Sequence, residues 1–296
     1  MRGEQTMIER VESYIQMKRN IGYSMKGTDK ELLRFARFAE SVNHNGPVTT
    51  ALVLSWAQSA STSSQLYRAR RLETARTFAR YEATFIPDTQ IPPRGILGPA
   101  HRRVQPHIYS NQEILSLIEA TRGLTPRGGL RHRTYEVLIG LLASTGLRVC
   151  EALRLDRSDL DAGTGRLTIR ETKFHKSRVI PIHQSTTRSL MEYAQFRDQY
   201  HPLPWSTRFF LSEQGRELKP SVVHYTFQKL RAQVELDSLP NARAPRLYDL
   251  RHTFACGVLV RWYTEGVDVN HHLPFLSTYL GHVKPTDTYW YLSAVP

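Results

Sequence analysis

Apolar positions return every three or four residues along most of the chain, and strand character takes over only around residues 166–182. Residues 5–20 and 26–42 carry such helical stripes, the second through Leu32, Leu33, Phe35, Phe38 and Ala39. Asn43 to Pro47 breaks the pattern with a glycine and a proline. A third helix follows through Leu52, Leu54, Trp56 and Ala57, with Thr49 or Thr50 placed to cap it. Polar residues Ser59 to Ser64 precede a fourth, which runs to about Phe85. These four helices predict a compact first domain over residues 1–86. Residues 87–107 hold Pro87, Pro92, Pro93, Pro99 and Pro106 and cannot continue a helix, so they read as a linker.

The second domain, residues 108–296, opens with Ser110 capping a helix to Glu119. Arg131 to Thr145 reads as a buried helix through Tyr135, Val137, Leu138, Ile139, Leu141 and Leu142, with Gly146 as its C-cap. Glu151 to Leu155 begins a further short helix. Arg166–Arg170 and Arg178–Ile182 have strand character and flank a polar turn, Lys173–Ser177. From Ser185 onward helical patterns dominate. The fold class that follows is mainly α with a small antiparallel β-sheet, an N-terminal helical domain joined to a mixed α+β domain.

Charge narrows the partner. Forty Lys+Arg against 27 Asp+Glu leave a net +13, an excess that suits nucleic acid or an acidic membrane surface. No run approaches the 18 apolar residues of a membrane span, and the N-terminus lacks the apolar core of a secretory signal. A cytoplasmic protein with two buried free thiols, Cys150 and Cys256, is the expectation. The fourth helix bears Arg68, Arg70, Arg71, Arg76 and Arg80 against only Glu73 and Glu82. Such a row can follow phosphates, the plain alternative being a solvated charged face. With Arg94, Arg102 and Arg103, the linker would be a flexible basic strap able to close two domains around a duplex. The histidines, including the pair His271–His272, lack ligand spacing, so neither a metal nor a cofactor is expected.

Phosphodiester cleavage without a metal needs cations for the non-bridging oxygens, a nucleophile, a proton acceptor and an acid for the departing oxygen. Ser144 to Leu153 places Arg148 just after the helix-ending glycine and Glu151 three residues later. Arg148 can present a planar fork to phosphate, and Glu151 can hold that fork in place. Arg246 to Ala255 sets Arg251 beside a buried stripe of Leu250, Phe254, Ala255 and Val258, where it needs an anionic partner. A salt bridge to Asp249 would serve. Tyr279 to Tyr291 puts His282 after a glycine and a tyrosine nine residues on.

Together, G-L-R-x-x-E, then D-L-R-H-T-x-A, then L-G-H with a tyrosine nine residues later strongly resemble the tyrosine recombinase, or phage integrase, family. The resemblance covers the second domain, and the four-helix unit resembles that family's core-binding domain. It implies that Arg148 and Arg251 grip the scissile phosphate. It makes Tyr291 the nucleophile of a 3′-phosphotyrosyl link, with His282 assisting proton transfer. Lys173 would protonate the leaving 5′-oxygen, with Lys176 as the rival, and Tyr289 is the rival nucleophile. The implied protein is a site-specific recombinase or integrase, independent of metal and ATP. It would act as a tetramer on two duplex sites through a Holliday junction, alone or with related recombinases, in mobile-element integration or transposition. Two alternatives remain: a catalytically degenerate DNA-binding relative, and a type IB topoisomerase-like enzyme.

The chain departs from the family pattern at three places. Tyr248 stands where relatives commonly carry histidine or lysine. Arg261 to Phe275 separates the second and third boxes widely and reads as a surface insertion. The sequence runs five residues past Tyr291, whereas many relatives continue into a helix that packs on a neighbouring subunit, which implies a truncated chain or a different way of assembling.

Overall fold

The computed structural model describes residues 5–101, 105–170, 177–236, 244–282, 284 and 286–292. The chain divides into two compact units, Met1–Arg103 and Val104–Pro296.

The first unit is built from α1 (Met7–Asn20), α2 (Thr28–Ser41), α3 (Thr50–Gln58) and α4 (Gln65–Glu82). Their starts are set by short polar side chains that accept otherwise orphaned backbone N–H groups. Thr6 and Glu9 form a reciprocal capping box, Thr49 accepts from the Leu52 N–H, and Ser64 accepts from that of Tyr67. Inside the bundle Leu32, Phe35, Trp56, Leu72 and Phe78 are fully buried, with the Phe35 ring meeting Trp56 edge-on at 5.2 Å. One ion pair is sealed in with them: Arg10 Nη1 lies 3.0 Å from Glu82 Oε2. The proline-rich stretch, read from the sequence as a flexible strap, is fastened to this unit over residues 90–100. The Gln90 N–H donates to the Val48 carbonyl at 2.8 Å, Arg76 Nε to that of Pro92 at 2.7 Å, and Arg70 Nε to that of Ala100 at 3.1 Å. Outside a regular ladder the carbonyls of Pro92 and Ala100 need donors, and the α4 guanidiniums supply them.

In the second unit α5 (Asn111–Ala120) starts from a capping box of Ser110 and Glu113. It is followed by α6 (Leu130–Thr145) and α7 (Val149–Arg154). A three-stranded antiparallel sheet comes next: β1 (Leu160–Asp161), β2 (Arg166–Ile169) and β3 (Arg178–Pro181), in that spatial order. Leu167 pairs with Ile180, and both face the core together with Ile169, while Val179 points to solvent. β1 is only two residues long and leaves no alternating pattern to read. The unit is completed by α8 (Gln184–Tyr200), α9 (Pro220–Gln233), α10 (Asp249–Thr264), α11 (Val269–Leu280) and the single turn α12 (Thr286–Tyr289).

Three sequence expectations change. Between α8 and α9 the chain is irregular rather than helical, and Phe209, Phe210 and Leu211 are carried into the core between a bridge of Asp156 with Arg208 and one of Leu211 with Glu217. Residues 261–275 are not a surface insertion, because they finish α10 and begin α11. Val269, Leu273, Leu276 and Leu280 of α11 are buried against Ala255 and Leu259 of α10. Cys256 is buried as expected, but Cys150 is exposed. Among the described residues no helix is long and apolar enough to cross a membrane.

Candidate active site

The site starts where α6 stops. Gly146 is left-handed (φ 63°), and a Cβ there would lie 2.5 Å from the Phe254 ring, so only glycine turns the chain at this point. Two residues on, Arg148 stands in extended conformation at the mouth of α7. Its backbone N–H donates to Glu151 Oε2 at 3.1 Å and its Nη1 to Glu151 Oε1 at 2.7 Å, while Nη2 reaches the Gly281 carbonyl at 3.2 Å. Glu151 is therefore both a helix-start carboxylate and the clamp on the Arg148 fork, and it is almost fully buried.

Arg251 is on the first turns of α10 and is 1% exposed. Its Nη1 donates to the Gly146 carbonyl at 2.9 Å, and its Nη2 to the Leu280 carbonyl at 2.7 Å and to His282 Nε2 at 2.9 Å. Asp249, offered by the sequence as its counter-ion, pairs instead with Arg246 at 2.6 Å. Residues two apart on a helix point to nearly opposite faces, so Asp249 and Arg251 cannot meet. The buried stripe of α10 is Leu250, Arg251, Ala255 and Leu259, with Phe254 and Val258 only partly covered, so the arginine is inside the core face. Among the described residues Arg251 pairs with no carboxylate, and its Nε has no partner. Burial pushes its guanidinium below the ordinary value, and the charge of Arg148 adds to that.

Gly281 caps α11 in left-handed conformation (φ 69°) and delivers His282 to the pocket. Since Arg251 can only donate, His282 Nε2 must accept, which assigns the ring proton to Nδ1, bonded to Thr288 Oγ1 at 2.7 Å. Burial, then the cations Arg251 and Arg148, push the imidazole down to about 4, with Asp287 opposing. The ring is neutral at physiological pH.

Tyr291 is 2% exposed. Its ring lies nearly parallel to His282 at 5.8 Å and meets the His252 ring edge-on at 5.2 Å. Burial pushes its phenol up; the charge and hydrogen bond of Arg251 pull the other way, as does Arg148, while Tyr248 adds to the rise. The phenol is thus protonated but set beside the two groups that would stabilise its anion. Tyr248 itself, at the start of α10, is 38% exposed and packs edge-on against His252 at 5.3 Å. Tyr289 is half exposed.

Arg148, Glu151, Arg251, His282 and Tyr291 therefore form one cluster, with the more exposed Tyr248 beside it. Lys173 and its rival Lys176 lie outside the described residues, as do Arg102 and Arg103. The α4 arginines are in the other unit, and most have work within it. Arg68 holds the carbonyls of Ala60 and Ser61. Arg71 is nearly buried, its guanidinium 4.1 Å above the Trp56 ring, and Arg76 holds Pro92. Arg80 is exposed. Three groups at the site escaped the sequence reading: Arg178, which is bonded to Glu151, His252 against the phenol, and Thr288 behind the imidazole. His252 could have been found from its place beside Arg251. Arg178 and Thr288 left no local signal.

Two forked cations, a neutral imidazole and a phenol around one space can hold a phosphate and present an oxygen nucleophile to it. The phage integrase family matches residues 109–295. The protein y4rB of Sinorhizobium fredii (strain NBRC 101917 / NGR234), named as an integrase/recombinase, is 41% identical over 98% of this chain and 94% of its own. Among solved structures, the Tn1549 transposon integrase in complex with transposon right end DNA superposes with TM-score 0.67 at 16% identity, over 97% of this chain and 94% of that one. A lambda integrase tetramer bound to a Holliday junction superposes with TM-score 0.63 at 16% identity, over 96% and 79%.

Proposed function

This chain belongs to the phage integrase family of tyrosine recombinases, DNA breaking-and-rejoining enzymes, and on that premise we propose that it recombines specific DNA sites through Tyr291. The observation that carries the reading is the buried guanidinium of Arg251, held by carbonyls and a neutral imidazole beside the Tyr291 phenol. A buried cation without a counter-ion is costly, and a backbone phosphate is the group that would offset it at this position.

In the proposed step the Tyr291 oxygen attacks the scissile phosphorus and the bond to the 5′-oxygen breaks. A 3′-phosphotyrosyl link and a free 5′-hydroxyl result. The phenol proton leaves as Arg251 and Arg148 stabilise the growing negative charge, and His282 is neutral and so able to accept a hydrogen bond or a proton. Lys173 supplies the proton to the departing oxygen. The ester conserves the energy of the broken bond, so a second 5′-hydroxyl can attack it and reseal without ATP. Because side-chain cations do the charge stabilisation, cleavage needs no metal and survives a chelator.

The partner is double-stranded DNA, and the working assembly is a tetramer on two sites, by analogy with the lambda integrase assembly on a Holliday junction. Mobile-element integration or transposition is the favoured setting, supported by the likeness to an integrase/recombinase and to a transposon integrase. Arg68, Arg71, Arg76 and Arg80, with Arg102 and Arg103, are proposed to add phosphate contacts, Arg71 least because it is stacked on Trp56. A second reading, a DNA-binding relative without cleavage, draws on Tyr248 in place of a histidine or lysine and on the concealed phenol. A nicked suicide duplex of the target site decides between them. Wild type should form a covalent adduct and Tyr291→Phe none; no adduct from wild type on its own site gives the second reading the day.

A further inference from the structure

Arg178 opens β3. Its side chain is only 12% exposed. Nη1 and Nη2 grip Glu151 through both carboxylate oxygens, at 3.2 and 2.9 Å, and Nε donates to the Tyr279 carbonyl at 2.9 Å. The guanidinium also lies flat against Gly281, where an added Cβ would come within 2.6 Å of Nη1. Every one of these contacts adjoins a group already placed in the chemistry. Glu151 holds the fork of Arg148, and Tyr279 and Gly281 belong to the turn that delivers His282.

We propose that Arg178 is a positioning residue for strand cleavage, locking the Arg148 fork and the His282 turn to the sheet as one rigid unit. The inference rests on the recombinase reading above. One carboxylate shared by two arginines explains the arrangement. Burial by itself would push the Glu151 carboxyl up, but hydrogen bonds and charge from Arg178, then from Arg148, more than reverse this and keep it ionised. With Arg178 removed, Glu151 keeps one guanidinium instead of two, the Tyr279 carbonyl loses its donor, and the space over Gly281 opens. Both the arginine that holds phosphate and the histidine beside it are then free to shift. A displacement of about 1 Å in such groups costs on the order of 100-fold in rate.

The test compares Arg178→Met and Arg178→Lys with wild type on a suicide duplex, once with the natural 5′-bridging oxygen and once with sulfur there, a leaving group that needs no proton. Arg178→Met should form the adduct about 100-fold more slowly on both duplexes, with duplex affinity within about threefold of wild type. Arg178→Lys, which keeps the charge but not the fork, should recover part of the rate. NMR titration of His282 on the protein alone should find it at about 4 in wild type, lowered by burial and then by Arg251, Arg148 and Arg178 with Asp287 opposing, and higher in Arg178→Met. An unchanged cleavage rate in Arg178→Met overturns the inference. So does full rescue by sulfur, which would tie Arg178 to the leaving-group acid instead. If Arg178→Met fails to fold, a wild-type rate in Arg178→Lys overturns it equally. Should wild type form no adduct, the recombinase reading falls, and a His282 titration displaced from wild type in Arg178→Lys, which keeps the charge but not the fork, still supports the inference, whereas an undisplaced one overturns it.

Discussion

Arg10 in the helical unit and Arg251 in the second unit are both arginines hidden from solvent, at 4% and 1% exposure, yet they are held in opposite ways. Arg10 faces Glu82, a carboxylate as buried as itself, and the pair is neutral. Arg251 faces two carbonyls and an uncharged imidazole, so its charge is oriented but not cancelled. The first arrangement is complete in the free protein. The second leaves a fixed positive charge awaiting an anion. Burial of an arginine therefore says little about function until its partners are counted by charge.

The comparison can be broken or sharpened experimentally. Arg251→Met should slow suicide-substrate cleavage by at least about 10³-fold while leaving much of the duplex affinity; a near-normal rate would remove Arg251 from the chemistry. Arg10→Met should destabilise the chain by about 3–5 kcal/mol in urea unfolding, since it removes the buried cation 3.0 Å from the Glu82 carboxylate, and Arg10→Met with Glu82→Leu should regain part of that. Arg251→Met should cost at least about 1 kcal/mol less stability than Arg10→Met, because it takes away a charge that has no counter-ion. Equal losses would erase the contrast between the two sites. The smallest effect belongs to the cations of α4: replacing Arg68, Arg76 and Arg80 by alanine should flatten the slope of log affinity against log salt by up to about 0.9 per lost phosphate contact. An unaltered slope moves the DNA-facing surface elsewhere.

Most helices were legible because their ends carry local chemistry, as with Thr49, Ser110 and Gly146, whose roles depend only on neighbours within four residues. The pocket was legible through the order and spacing of three short boxes. What stayed hidden depends on contacts between distant parts of the chain. Arg178 and Glu151 are 27 positions apart, and nothing near either one announces the other. The segment 261–275 looked like an insertion because it separates the second and third boxes widely, and its stripe of Val269, Leu273 and Leu276 finds its partner surface only on α10. The arginines of α4 looked uniform in sequence, yet Arg71 stacks on Trp56 while Arg68, Arg70 and Arg76 hold backbone carbonyls of neighbouring loops.

The seclusion of Tyr291 has a consequence for safety. A phenol wedged between two imidazoles, with Cys256 Sγ against its own carbonyl at 3.8 Å, is out of reach of stray electrophiles and of loosely docked nucleic acid. Only a duplex seated deeply enough to engage Arg148 and Arg251 would come near it. In the proposed mechanism, the same walls would keep water from the phosphorus of the ester. A broken strand would then wait for another strand's hydroxyl and not be lost to hydrolysis.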